Sequence, residues 1–122
     1  MTDVLDASAL LAYLQGERGA DIVERVLSEG AACGAANWSE VSQKIRARGR
    51  DWALSRSLLL SWGLHVRDVS QEDAERAAGL WRAGDGLSLA DRLCLALGER
   101  AGATVWTADT AWGDGDSVKQ IR

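Results

Sequence analysis

One unit recurs along this chain: a short apolar extended run that passes within a residue or two into a helix. It appears first in DVLDASALLAYLQG, where Val4 and Leu5 precede Asp6 and a helix of Ala and Leu that ends at Gly16. GADIVERVLSEG predicts a second helix, with Ile22, Val23, Val26 and Leu27 on one side and Gly30 as its stop. AACGAA fits a short buried strand or an extended loop. NWSEVSQKIRARG predicts a third helix from an Asn37 N-cap to Gly49, and DWALSRSLLLSWG a fourth ending at Gly63. LHVRDV alternates as a strand does. SQEDAERAAGLWRAG and SLADRLCLALGERAG predict the fifth and sixth helices, and ATVWTAD a buried strand. SVKQIR, after the polar turn TAWGDGD, predicts a last strand. Strands alternating with helices imply an α/β domain, with a mainly parallel sheet of four to five strands flanked by helices on both faces. The 122 residues suffice for one core and not two, so residues 1–122 are expected to be a single domain.

Several function classes drop out. Hydrophobic residues make up 47%, a globular value. No apolar run approaches the roughly 20 residues that span a bilayer. Asp3 and Asp6 interrupt the start, and no basic segment precedes an apolar one. A cytoplasmic protein without membrane contact is the expectation. Cys33 and Cys94 stand alone, without metal-ligand spacing, and read as small buried hydrophobes. The net charge of −4 argues against coating nucleic acid by general attraction. It suits a site where acids hold a cation that in turn meets an anionic substrate. The chain has six tryptophans but no phenylalanine or proline, a skew for which we have no physical account.

Ligands of a parallel sheet bind beyond the carboxyl ends of its strands, where the following helices begin. Four acids fall there. Asp6 closes the first strand, Glu40 and Asp91 lie in the expected first turns of the third and sixth helices, and Asp109 closes TVWTAD. Two readings compete. Ser88 with Asp91 and Asn37 with Glu40 have capping-box spacing, as do Ser70 and Asp73, for which no functional use is evident. Asp6 and Asp109 would serve as ordinary N-caps, at about 1 kcal/mol each. The other reading is convergence: clustered carboxylates repel and raise one another's pKa unless a cation neutralises them. A carboxylate set without a cysteine or histidine cluster points to Mg²⁺ or Mn²⁺ rather than zinc. Ser8 and Thr107 flank the set and can hydrogen-bond a carboxylate or a water. Such a metal activates water for attack on a phosphodiester.

Other residues narrow the choice. His65 is the only histidine, which excludes a ribonuclease built on paired histidines; it reads as structural on an interior-type strand. A phospho-receiver or phosphatase needs a well-placed lysine, and Lys44 and Lys119 hold no convincing position. Lys44, Arg46, Arg48 and Arg50 are either a solvated helix end or contacts to the phosphates of an anionic substrate. Trp38 and Trp112 lie near the acids and suit core packing or a partner better than base stacking, and Trp106 is assigned to the core. Leu54, Leu58 and Trp62 at helical spacing, with Leu59 and Leu60 beside them, exceed what one buried face needs. Part of that helix is expected to meet a partner.

VLDASALLAYL, NWSEV, LSLADRLCLALG and TVWTAD, in this order, resemble the signatures of PIN-domain ribonucleases, and most closely those of VapC-type toxins of toxin–antitoxin pairs. The resemblance covers nearly the whole chain. It implies a PIN-like parallel-sheet domain, Mg²⁺ or Mn²⁺, endonucleolytic cutting of structured RNA, a homodimer and inhibition by a cognate antitoxin. It places the acids on Asp6, Glu40, Asp91 and Asp109 and the hydroxyl residues on Ser8 and Thr107. Asp114 and Asp116, in the short tail, are candidate extra acids. The alternative is a catalytically silent PIN-like module that binds RNA or protein, against which the intact acids count.

Overall fold

In the computed structural model, which describes residues 2–122, the extended runs become five parallel strands of one sheet. They are β1 (Asp3–Leu5), β2 (Ala31–Gly34), β3 (His65–Arg67), β4 (Val105–Thr107) and β5 (Val118–Gln120), in the spatial order β3-β2-β1-β4-β5. The chain winds outward from β1 to β3, then returns to build β4 and β5 on the other side. The direction therefore switches between β1 and β4, whose carboxyl ends carry Asp6 and Thr107. A switch point of this kind is where such sheets bind ligands.

Side chains alternate across a strand, and this divides the core. Leu5 and Cys33 pack with α1 (Ala7–Leu14), α2 (Ala20–Ser28), α3 (Ala35–Ala47) and α4 (Trp52–Ser61). Val4 and Val105 pack instead with Cys94 and Leu97 of α6 (Leu89–Ala101). Gly98 lets α6 approach β4. A Cβ at that position would lie 2.3 Å from Val105 Cγ2. Gly98→Ala is therefore expected to cost about 1–3 kcal/mol in urea unfolding. Adding Val105→Ala should recover part of that loss, and strict additivity of the two changes would show that the helix does not rest on Val105.

The remaining helix, α5 (Gln71–Gly79), is held on α6 by a buried charge. Asp73 takes two hydrogen bonds from Arg100, at 2.8 and 3.0 Å, and completes a capping box with Ser70. That gives the Ser70–Asp73 spacing a structural use.

Several expectations need correction. AACGAA is a strand only as far as Gly34, and α3 begins at Ala35. Gly34 is its N-cap; Asn37 is inside the helix and Glu40 lies in the second turn. The cause is local: Ala35 and Ala36 are strong helix formers. The fifth helix stops at Gly79, a poor helix former, with Leu80 as its C-cap, short of the Gly84 to which the sequence pattern extends. His65 is exposed, since β3 is an edge strand. Trp106 is half-buried, and its indole N–H donates to Asp3 at 2.9 Å. Trp38 packs edge-on against Trp52, 5.1 Å between ring centres, and Trp112 packs against the Val4–Cys94 cluster. Both cysteines are buried. Leu54 and Leu58 of α4 are exposed, at 70% and 43%. Among the described residues no helix is long and apolar enough to cross a membrane.

Candidate active site

Asp6 follows β1 and caps α1, its Oδ1 accepting from the Ala9 N–H at 2.8 Å. The cap accounts for one oxygen only in part. Ser8 Oγ lies 2.7 and 2.9 Å from the two carboxylate oxygens, and Thr107 Oγ1 donates to Oδ2 at 2.5 Å. Ser8 also accepts from the Ala108 N–H, which ties the end of β4 to the start of α1. Asp6 is 3% exposed. Burial pushes its carboxyl up from 3.8 to about 6, the hydrogen bonds from Thr107, Ala9 and Ser8 oppose this, and the charge of Asp91 adds to it.

Asp91 opens α6 in a complete capping box: Ser88 Oγ accepts from the Asp91 N–H at 3.1 Å, and Asp91 Oδ2 accepts from the Ser88 N–H at 3.0 Å. The same carboxylate also acts electrostatically on Glu40. Burial raises the Glu40 carboxyl, Asp91 raises it further, and the Asn37 amide and Lys44 pull it down. Asp91 therefore caps α6 and also acts electrostatically on Asp6 and Glu40. Beneath the three acids lie Cys33 and Cys94, whose thiols are raised by burial and then by these negative charges. They stay protonated and contribute no nucleophile.

The other candidates are placed differently. Asp109 stands where β4 ends, next to Asp6's hydroxyl partner: its N–H donates to Thr107 Oγ1 at 3.0 Å. Its carboxylate caps the short 3₁₀ helix Thr110–Trp112 through the Ala111 N–H. The acid whose charge bears on Asp6 is Asp91, not Asp109. Asp114 is exposed in the connection to β5. Asp116 lies at the opposite, amino edge of the sheet, where it lines a cavity of about 620 Å³ with Asp3, Val105 and Val118. Along α3, Lys44 sits one turn beyond Glu40, Arg46 Nε bonds Ser42 Oγ, Arg48 reaches Gln15, and Arg50 is exposed beyond the helix end. From the sequence Asn37 reads only as a cap. Its donation to Glu40 Oε1 at 3.2 Å places it in the site, and the three-residue spacing on one helix was the available signal.

Among the described residues, no three acidic, histidine or cysteine side chains already stand at the spacing of a closed metal site. The donor chemistry nevertheless fits a hard divalent cation. Burial and the charge of Asp91 raise both the Asp6 and the Glu40 carboxyls, and Lys44 is a cation that bears on Glu40.

The fold has close counterparts. A toxin–antitoxin complex from Klebsiella pneumoniae contains a chain that superimposes with a TM-score of 0.78 at 22% identity, over 99% of this chain and 98% of that one. A Sarcin-Ricin loop cleaving VapC toxin of Mycobacterium tuberculosis aligns with a TM-score of 0.68 at 17% identity, covering 94% of this chain and 92% of its own. A DNA-bound VapBC complex from Salmonella typhimurium gives 0.65 at 15% identity, with 98% and 97% covered. No curated protein sequence matches the chain. The PIN domain pattern matches residues 4–116, from the first strand through the last candidate acid, and the chain belongs to the PIN domain family.

Proposed function

We propose that the protein is a divalent-metal-dependent endoribonuclease and the toxin of a type II toxin–antitoxin pair. What supports this reading is that the Asp91 carboxylate, at the start of α6, bears electrostatically on both Asp6, after β1, and Glu40, on α3. Asp6, Asp91 and Glu40 would hold Mg²⁺ or Mn²⁺, with Asp109 beside them. A bound ion would supply charge neutralisation toward the phosphate and activation of water for hydrolysis. Ser8 and Thr107 hold the Asp6 carboxylate in one orientation. Glu40, half-buried with its carboxyl raised, is the group suited to take a proton from the attacking water. Lys44 and the arginines that follow it on α3 offer RNA phosphates a positive track in an otherwise acidic body.

The partners follow the same reading. Leu54 and Leu58 expose an apolar stripe on α4 suited to a cognate antitoxin, as the Klebsiella complex encourages, and a homodimer and a cytoplasmic location belong to the same proposal. The test uses the purified chain and an end-labelled structured RNA. Internal cuts are expected with Mn²⁺ or Mg²⁺ and none in chelator, with activity returning when the ion is restored. RNA that is retained but uncut at every metal concentration would establish the silent binding module instead.

A further inference from the structure

Asn37 is 1% exposed and lies where α3 meets α6 over the carboxyl edge of the sheet. Its Nδ2 donates both to Glu40 Oε1 at 3.2 Å and to the Ala90 carbonyl at 3.3 Å. Neither acceptor can donate, so the amide must face them with its NH₂ side. The consequence is that Oδ1 is buried without a hydrogen-bond partner among the described residues. Native interiors leave few buried polar atoms unpaired.

A second residue makes room for the same amide. Gly34 has φ −71° and ψ 150°, an extended conformation open to any residue, so the backbone does not require glycine. A Cβ there would stand 3.1 Å from Asn37 Oδ1. Gly34 thus leaves the space that the amide occupies. Ala90 immediately precedes Asp91, so the amide links one acid of the site to the backbone that carries another.

We infer that Asn37 is a positioning residue: by bridging Glu40 to the Ala90 carbonyl it sets the gap between the Glu40 and Asp91 carboxylates. The assignment rests on the reading of those two acids as holders of a divalent cation. Residues that orient metal-holding side chains typically change metal affinity by 10–100-fold when replaced. Asn37→Leu keeps the side-chain shape and removes the bridge; its two acceptors lose a donor, at a cost of about 1–3 kcal/mol, which half-buried Glu40 can reduce by turning to solvent.

The experiment is calorimetric titration of Mn²⁺ into the full chain, compared across wild type, Asn37→Leu, Glu40→Gln, the double variant and Gly34→Ala. Asn37→Leu should bind Mn²⁺ about tenfold more weakly while melting within a few degrees of wild type. The double variant should bind no more weakly than Glu40→Gln alone, because Asn37 acts through Glu40. Gly34→Ala, which crowds the amide without removing it, should shift affinity in the same direction by less, and it carries the test if Asn37→Leu does not fold. Wild-type affinity in Asn37→Leu, with Glu40→Gln weakened, would overturn the assignment and leave the proposed function standing. A double variant weaker than Glu40→Gln by the full Asn37 factor would overturn it as well. Equal affinity in wild type and Glu40→Gln would remove the metal-holding reading of Glu40, and the assignment with it.

Discussion

Asp6→Asn is expected to make the metal-free protein more stable and at the same time inactive. The Asp6 carboxyl rises from 3.8 to about 6 in the fold, chiefly through burial. Below pH about 4 the group is protonated in both the folded and the unfolded chain and costs nothing. Between pH 4 and 6 the folded chain keeps a proton that the unfolded chain has released, so stability falls as pH rises. Above pH 6 the full penalty applies, about 3 kcal/mol at 1.36 kcal/mol per pH unit. An asparagine amide carries no charge to desolvate, and it still caps α1 as an acceptor from the Ala9 N–H. The hydroxyls of Ser8 and Thr107 can rotate to accept from its NH₂. With hydrogen bonds remade imperfectly, a gain of about 1–3 kcal/mol in chelator at pH 7 is expected, seen as a Tm raised by several degrees. The gain should shrink toward zero at pH 4. Cleavage should fall about a hundredfold or more, since the carboxylate proposed to anchor the metal is gone. Added Mn²⁺ should stabilise wild type by ligand linkage and leave the variant unmoved, closing the gap. A variant that melts below wild type at pH 7 in chelator would contradict the burial argument, and one that still cuts RNA would remove Asp6 from the site.

This conflict between stability and chemistry could be anticipated from sequence wherever the relevant distances are local. The strand run VLD, its acid and Ser8 lie within a few residues, and the fold places them in one hydrogen-bonded unit. That Asp6 and Asp91, 85 positions apart in the chain, act on one another was legible only through topology, because every strand end and following helix start shares one edge of a parallel sheet. Strand order is not local information, and that is why His65 was misplaced: the alternation of LHVRDV is the same for an inner strand and for the edge strand that β3 is. The start of α3 was obscured by a run of Ala and Gly, which carries no polarity signal, so Asn37 appeared to be a cap when it is a buried bridge. The tail misled by its brevity. Seven residues beyond Asp109 are enough chain to cross the sheet, and Asp116 ends at the amino edge beside Asp3.

Asp91 and Ser88 should separate stability from activity within one capping box. The Ser88 hydroxyl accepts from the Asp91 N–H, and Asp91 Oδ2 accepts from the Ser88 N–H. Among the described residues no protein donor engages the other Asp91 oxygen, which under the proposed function would meet the cation. Ser88→Ala removes the hydroxyl half of the box and should cost about 1 kcal/mol, the usual loss on deleting an N-cap. It leaves the charge of Asp91 next to Asp6 and Glu40, so cleavage should stay within a few-fold of wild type. Asp91→Asn does the reverse. An amide oxygen can still accept from the Ser88 N–H, so the cap survives apart from the favourable charge at the helix start, worth about 0.3–1 kcal/mol. Part of that loss is offset, because Asp6 and Glu40 no longer face a third negative charge. Tm should therefore shift by only a few degrees, whereas RNA cleavage should fall about a hundredfold or more and the growth arrest caused by expressing the chain alone should disappear. Thermal melting and RNA cleavage of the two variants, measured side by side, decide the matter. If the folded Asp91→Asn protein cuts RNA at the wild-type rate, Asp91 is a helix cap and nothing more, and the acids that converge on the carboxyl edge are not a catalytic set.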